Sequence, residues 1–108
     1  LEPPSGEPVR SIGARANGES VWFRNTHRGK KSIVLNLKSA DGLAALRDIA
    51  RSCDVMLEAF RPGVVDRLGI GPDAMTALNP RLIYCSISAF GQDGPLRDKP
   101  AHDLAVEA

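Results

Sequence analysis

Between Asp54 and Gly69 an apolar run, Val55-Met56-Leu57, stops at a carboxylate, a small residue, an aromatic ring, a cation and then a turn: Glu58-Ala59-Phe60-Arg61-Pro62-Gly63. A buried strand that ends at a pocket reads this way, because continuous apolar character gives way within a few residues to polar groups and Pro-Gly. In open α/β sheets ligands bind outside the carboxyl ends of the strands. Arg61 and, about a helical turn later, Arg67 are therefore expected beside a crevice, with Pro62 suited to the first position of a new helix.

The neighbouring segments supply partners for such a strand. Ser32 to Leu37 alternates Ile33, Leu35 and Leu37 against Ser32, Val34 and Asn36, the period of a strand, with Lys38 at its carboxyl end. Ser39 is placed to cap a helix over Ala40 to Ser52, in which Leu43, Leu46, Ile49 and Ala50 share one face and Arg47, Asp48 and Arg51 the other. Asp54 to Ala59 is the next strand, so strand, helix and strand make a right-handed parallel βαβ unit the default. Val64 to Leu68 fits a short helix. Gly71-Pro72-Asp73 opens another, in which Ala74, Met75 and Leu78 can pack and which Asn79-Pro80 ends. Leu82 to Ser88 is apolar enough for a central strand, and Ala89 to Pro100 is a Gly, Pro and Asp-rich loop that delivers the chain to His102-Asp103 at the head of a further helix.

The amino-terminal third is less regular. Leu1 to Gly6 reads as the tail of a strand breaking into a Pro-Pro-Ser-Gly turn, and Glu7 to Ser20 as a surface loop without sustained period. Val21-Trp22-Phe23 is an aromatic cluster expected to pack. His27 to Lys31 is a dense basic run, either a solvated loop or a phosphate site.

Composition narrows the classes. The chain of 108 residues is in the single-domain range, and 43% hydrophobic with 25% charged residues is ordinary globular material. A net charge of +1 gives no global basic field for nucleic acid. Cys53 and Cys85 have no metal-ligand spacing and lie at or inside apolar runs, as buried free thiols in a reducing cytoplasm do. No apolar run reaches membrane-spanning length, and no signal peptide is visible. The chain opens at Leu1 without a methionine and closes at Ala108 just as a new segment begins, so residues 1–108 are expected to be part of one larger α/β domain with more chain at both ends.

Taken in order, Arg28-Gly-Lys-Lys-Ser-Ile-Val-Leu-Asn-Leu-Lys38, Glu58-Ala-Phe-Arg-Pro-Gly-Val-Val-Asp-Arg-Leu-Gly69, Asn79-Pro-Arg-Leu-Ile-Tyr-Cys-Ser-Ile-Ser-Ala-Phe-Gly-Gln-Asp-Gly-Pro95 and Pro100-Ala-His-Asp103 resemble the family III CoA-transferases. That family includes formyl-CoA transferase, carnitine CoA-transferase and α-methylacyl-CoA racemase. Each motif alone is weak; their order and spacing carry the likeness. The resemblance implies an α/β fold, a Rossmann-like parallel sheet with flanking helices, within two subunits interlocked as a homodimer. It implies coenzyme A or acyl-CoA as substrate, no permanently bound cofactor, no metal, a second carboxylic acid as partner, and neither nucleic acid nor membrane.

Position by position, Leu35 and Lys38 match residues at the nucleotide end of the CoA site. Phe60 matches one in the pantetheine and adenine region, and Arg67 a cation near the phosphates. Ala59 stands where many transferases have asparagine and the racemases a small residue. In the transferases an aspartate attacks the acyl-CoA carbonyl and forms mixed-anhydride and enzyme-thioester intermediates; the resemblance places it beyond Ala108, which would leave residues 1–108 inactive alone. In the racemases a histidine at the position of His102 is one of two α-proton bases, a task for which a neutral imidazole is suited. Ala-His-Asp-Leu-Ala-Val departs from the racemase run Gly-His-Asp-Ile-Asn-Tyr, and Glu-Ala after it is nearer the transferases. His102 and Asp103 are the catalytic candidates; Asp103 is also well placed simply to cap a helix. A binding module without chemistry would show the same periodicities.

Overall fold

The computed structural model describes residues 1–101, and the chain divides into two compact units, Leu1–Leu43 and Ala44 onward. In the first unit a 3-10 turn at Pro8–Arg10 precedes a hairpin of β1 (Arg15–Ala16) and β2 (Glu19–Ser20) and then helix α1 (Val21–Thr26). The hairpin corrects the loop expected over Glu7 to Ser20. Asn17-Gly18, at φ 54 and 82, is the two-residue turn whose twist matches antiparallel strands. Ser20 ends β2 and caps α1, its hydroxyl accepting from the Phe23 N–H at 3.2 Å and donating to the Ile12 carbonyl at 2.7 Å. Of the aromatic cluster, Phe23 packs beneath Arg10, whose guanidinium lies 3.9 Å from the ring centroid, while Trp22 is 50% exposed.

A second correction concerns Ser32–Leu37. Among the described residues it forms one parallel bridge, Val34 to Glu2, closed by Glu2 N–H to Ile33 C=O at 2.9 Å and Leu35 N–H to Glu2 C=O at 3.0 Å. The alternation holds from Val34 to Leu37, where Leu35 and Leu37 are half-buried and Val34 and Asn36 exposed, while Ile33, expected on the face of Leu35, is 43% exposed. Period two tells which side chains share a face; it does not supply a neighbouring backbone to complete a ladder.

Helix α2 (Ala40–Ala50) begins where Ser39 predicts, the hydroxyl accepting from the Gly42 N–H at 3.1 Å. Its buried face differs slightly from the one expected. Ile49 is 37% exposed, and Arg47 is half-buried, donating to the Gly69 carbonyl at 3.1 Å.

The second unit is built on β3 (Val55–Glu58) and β4 (Ile83–Ser86), a parallel pair in register from Val55–Ile83 to Glu58–Ser86. The chain between them forms α3 (Val64–Arg67) and α4 (Pro72–Leu78). The parallel pair thus falls one crossover later than the default βαβ reading placed it. Gly71 caps α4 with Pro72 at its first position, where the missing N–H costs nothing. Ala50, Val65, Ile70, Met75 and Leu82 make the buried core. Fully burying a residue such as Ile70 contributes roughly 1.5–3 kcal/mol. Among the described residues β4 pairs only with β3 and so has one strand neighbour, not the two of a central strand, and Val55, Leu57 and Ile83 are each more than half exposed. No helix among the described residues is long and apolar enough to cross a membrane.

Candidate functional site

The strand β3 ends in a buried carboxylate. Glu58 is 7% exposed, and its Oε2 accepts from the Phe60 N–H at 2.8 Å, which fixes the backbone as it leaves the sheet. Pro62 and Gly63 then occupy the corners of a β-turn closed by the Val64 N–H on the Arg61 carbonyl at 3.1 Å. Gly63, at φ 79 and ψ −6, takes the left-handed corner of a type II turn. Pro62 is therefore a turn residue and not the first residue of a helix, because Gly63 stands between it and α3.

This turn and the loop after β4 enclose a cavity of ≈ 680 Å³ outside the carboxyl ends of the two parallel strands. Ala59 to Pro62, Val64 and Arg67 form one wall, Ile87 to Phe90 another, and Arg97 to Ala101 the third. Arg61, Arg67, Arg97 and Lys99 bring four cations to it, with Asp98 as the acidic member, and Phe60 and Phe90 bring two aromatic rings. Lys99 Nζ lies 6.0 Å from the Phe90 ring centroid. Convergent cations beside aromatic and aliphatic surface suit a ligand carrying phosphates on an organic body.

Behind the cavity the scaffold is held by polar clamps that the sequence did not announce. The Tyr84 hydroxyl donates to the Ile70 carbonyl at 2.9 Å. Its pKa is pushed up to about 12, mainly by burial and further by the negative charges of Glu58 and Asp66. Asn79 donates from Nδ2 to the carbonyls of Ala50 (3.0 Å) and Cys53 (2.9 Å), holding the end of α2. Cys53 and Cys85 are free and half-buried.

Of the residues singled out in the sequence, the structure gathers Ala59, Phe60 and Arg67 on this cavity, together with Arg61. Leu35 and Lys38 belong to the first unit, Leu35 half-buried and Lys38 exposed, with the Lys38 N–H on Asn36 Oδ1 at 3.1 Å. His102 and Asp103 lie outside the described residues. Arg97, Lys99 and Phe90 were not picked out. The Gly-Pro-rich loop that carries them signals a connection, not which of its side chains turn inward.

The first unit has a smaller cavity of ≈ 350 Å³ beside the basic run, lined among others by Glu2, Arg10, His27, Lys30 and Lys31. Here the buried Glu2 carboxylate accepts from Arg10 Nε at 2.7 Å, from the Ser32 hydroxyl and from the Glu7 N–H at 3.1 Å. These partners, Arg10 foremost, hold Glu2 well below the usual carboxylate range. His27 stacks on Phe23 with centroids 4.3 Å apart. Among the described residues no cluster of His, Cys, Asp and Glu could hold a metal ion.

A parallel strand pair flanked by helices, with a cationic and aromatic cavity at the strand ends, defines an α/β protein of the kind whose ligands sit outside the carboxyl ends of its strands. The family can be stated more narrowly. The model for CoA-transferase family III matches residues 1–108, and the chain belongs to that family. It is 47% identical to the acetyl-CoA:oxalate CoA-transferase of Acetobacter aceti, over 100% of this chain and 28% of that protein. It is 42% identical to the succinyl-CoA–D-citramalate CoA-transferase of Chloroflexus aurantiacus, over 100% of this chain and 27% of that protein. A crystal structure of a CAIB/BAIF family protein from Brucella suis superposes with a TM-score of 0.89 at 32% identity, over 96% of this chain and 29% of that one. The chain thus spans little more than a quarter of the length of these relatives.

Proposed function

We propose that this chain supplies one wall of the coenzyme A site of an enzyme that moves CoA between carboxylic acids. The cavity at the carboxyl ends of β3 and β4 carries this reading, because it places Phe60 and Arg67 together at positions that the family resemblance links to CoA. Phe60 and Phe90 offer flat apolar surface to an adenine or a pantetheine arm, and Arg61, Arg67 and Lys99 offer charge to the phosphates. Lys38 and Leu35 serve the nucleotide end on the same resemblance. The chemical step belongs to an aspartate outside residues 1–108, which takes the acyl group as a mixed anhydride with release of the CoA thiolate, and then carries CoA itself as an enzyme thioester once that thiolate attacks the aspartyl carbonyl and the donor acid leaves as its carboxylate. Relatives named for oxalate, D-citramalate, glutarate and L-malate favour a short dicarboxylic acid as acceptor. The working form is an interlocked homodimer in a reducing cytoplasm.

Calorimetric titration of the complete gene product with CoA tests the reading, with binding expected and its absence overturning it. The activity is tested by incubating an acyl-CoA with oxalate, malate or glutarate: CoA is expected on the second acid, through an enzyme acyl group that hydroxylamine removes. The racemase reading rests on His102. It predicts instead α-deuterium incorporation from heavy water with no acceptor acid present.

A further inference from the structure

The family resemblance assigns Arg67 to the phosphates but gives Arg97 no role, and the geometry around Gly63 does. A Cβ placed on Gly63 would stand 3.3 Å from Arg97 Nη2 and 3.4 Å from Arg67 Nη1, so the two guanidinium groups converge on the same turn. Like charges brought this close repel unless an anion lies between them. Among the described residues neither guanidinium donates a hydrogen bond to a protein acceptor. Among the described residues Arg97 has one carboxylate within 4.0 Å, that of Asp98, which is largely exposed and lies 4.0 Å from Nη1, beyond hydrogen-bonding distance. Arg97 Nε is buried and, among the described residues, has no partner. The guanidinium thus turns its Nη1 side toward Asp98, while its Nη2 lies at the Gly63 turn that it shares with Arg67 Nη1 on the cavity.

We propose that Arg67 and Arg97 form a two-arginine clamp for one phosphoryl group, Arg97 binding it through Nη2 and Arg67 through Nη1, with Gly63 as the floor between them. The clamp rests on the CoA reading for its natural ligand, in which either the diphosphate or the ribose phosphate of CoA would fill it. It makes Arg97 a determinant of specificity, required for a phosphorylated ligand and irrelevant to the pantetheine arm.

The test is calorimetric titration of the complete gene product and its Arg97→Gln, Arg97→Lys and Asp98→Asn variants with CoA, dephospho-CoA, pantetheine and inorganic pyrophosphate. Arg97→Gln is expected to weaken CoA about tenfold or more, to leave any pantetheine binding unchanged, and to abolish competition by pyrophosphate. Arg97→Lys restores charge without the planar fork and should recover only part of the loss. Asp98→Asn should bind at least as tightly as wild type. If dephospho-CoA loses as much as CoA on Arg97→Gln, the clamp holds the diphosphate; if wild type already binds it poorly and the variant adds no loss, the clamp holds the ribose phosphate. Unchanged CoA affinity in Arg97→Gln overturns the clamp and leaves the CoA site standing. Should wild type bind no CoA, the CoA reading falls and pyrophosphate decides the clamp alone: binding by wild type and not by Arg97→Gln supports it, and no binding ends it. Matching circular dichroism and thermal midpoints guard against misfolding, and if Arg97→Gln does not fold, the same comparisons are read on Arg97→Lys.

Discussion

One amide side chain does much to hold the floor of the second unit. Asn79 Nδ2 donates to the carbonyls of Ala50 and Cys53, and its Oδ1 accepts from the Arg81 N–H at 3.1 Å, so its polar atoms are occupied from both sides of the α4–β4 connection. The Ala50 and Cys53 carbonyls lie at the C-terminal end of α2, where helix geometry leaves backbone oxygens without partners. Replacing Asn79 by Ala should cost about 1–3 kcal/mol, since it leaves the half-buried Cys53 carbonyl unmet and the Ala50 carbonyl with the long Cys53 N–H bond at 3.3 Å. Asn79→Asp should cost more. It keeps the acceptor for Arg81 but sets a carboxylate oxygen against two carbonyl oxygens. Urea unfolding midpoints of the three proteins check the order, and an Asp variant as stable as wild type would contradict the assignment of Nδ2.

At the scale of elements, the strand–turn–helix passage from β3 through Gly63 to α3 makes the cavity wall. Its turn tolerates little besides glycine: a residue with a Cβ would carry the strain of positive φ, roughly 1–2 kcal/mol, and would press on both guanidinium groups. Gly63→Ala is therefore expected to lower the thermal midpoint and to weaken CoA binding together, whereas Pro62→Ala, which adds no Cβ beside the two guanidinium groups, should weaken CoA binding less for the same loss of midpoint. Differential scanning fluorimetry with and without CoA separates the two. Much of this passage was legible beforehand, because Val55–Leu57 and the Pro-Gly pair are local signals of a strand and its end. α2 and α4 were legible for the same reason, through Ser39 and Gly71-Pro72. What could not be read was non-local. Ser32–Leu37 has the pattern of a strand, but whether a second backbone runs beside it is set by residues far away in sequence. The Asn17-Gly18 turn is a local signal, but with only two strand residues on each side it carries no alternation to mark a hairpin. Arg97 was hidden in a loop where nothing in the periodicity marks which cation turns inward.

For the whole molecule, the two units should fail at opposite ends of the pH scale. In the first unit Glu2 is ionised and satisfied by Arg10, Ser32 and Glu7, with its pKa well below the ordinary 4.5. A carboxylate depressed by folding contributes stability that is present above its unfolded value and is lost as pH falls toward the folded one. The first unit should therefore weaken progressively below about pH 4.5, and Glu2→Gln should be less stable at neutral pH yet flatter in acid. In the second unit Tyr84 is held neutral, its pKa raised from 10 to about 12. A group raised by folding contributes stability that is complete below the unfolded value and disappears as pH climbs through the folded value, here the window from pH 10 to about 12. Tyr84→Phe removes the ionisation and with it this alkaline slope, while losing the hydrogen bond to Ile70 at about 1 kcal/mol. Amide hydrogen exchange followed across both windows resolves the units separately. Protection in residues 1–43 should fall first in acid and that around Ile70, Met75 and Leu82 first in alkali. An alkaline slope of equal size in Tyr84→Phe would show that some other group governs the second unit.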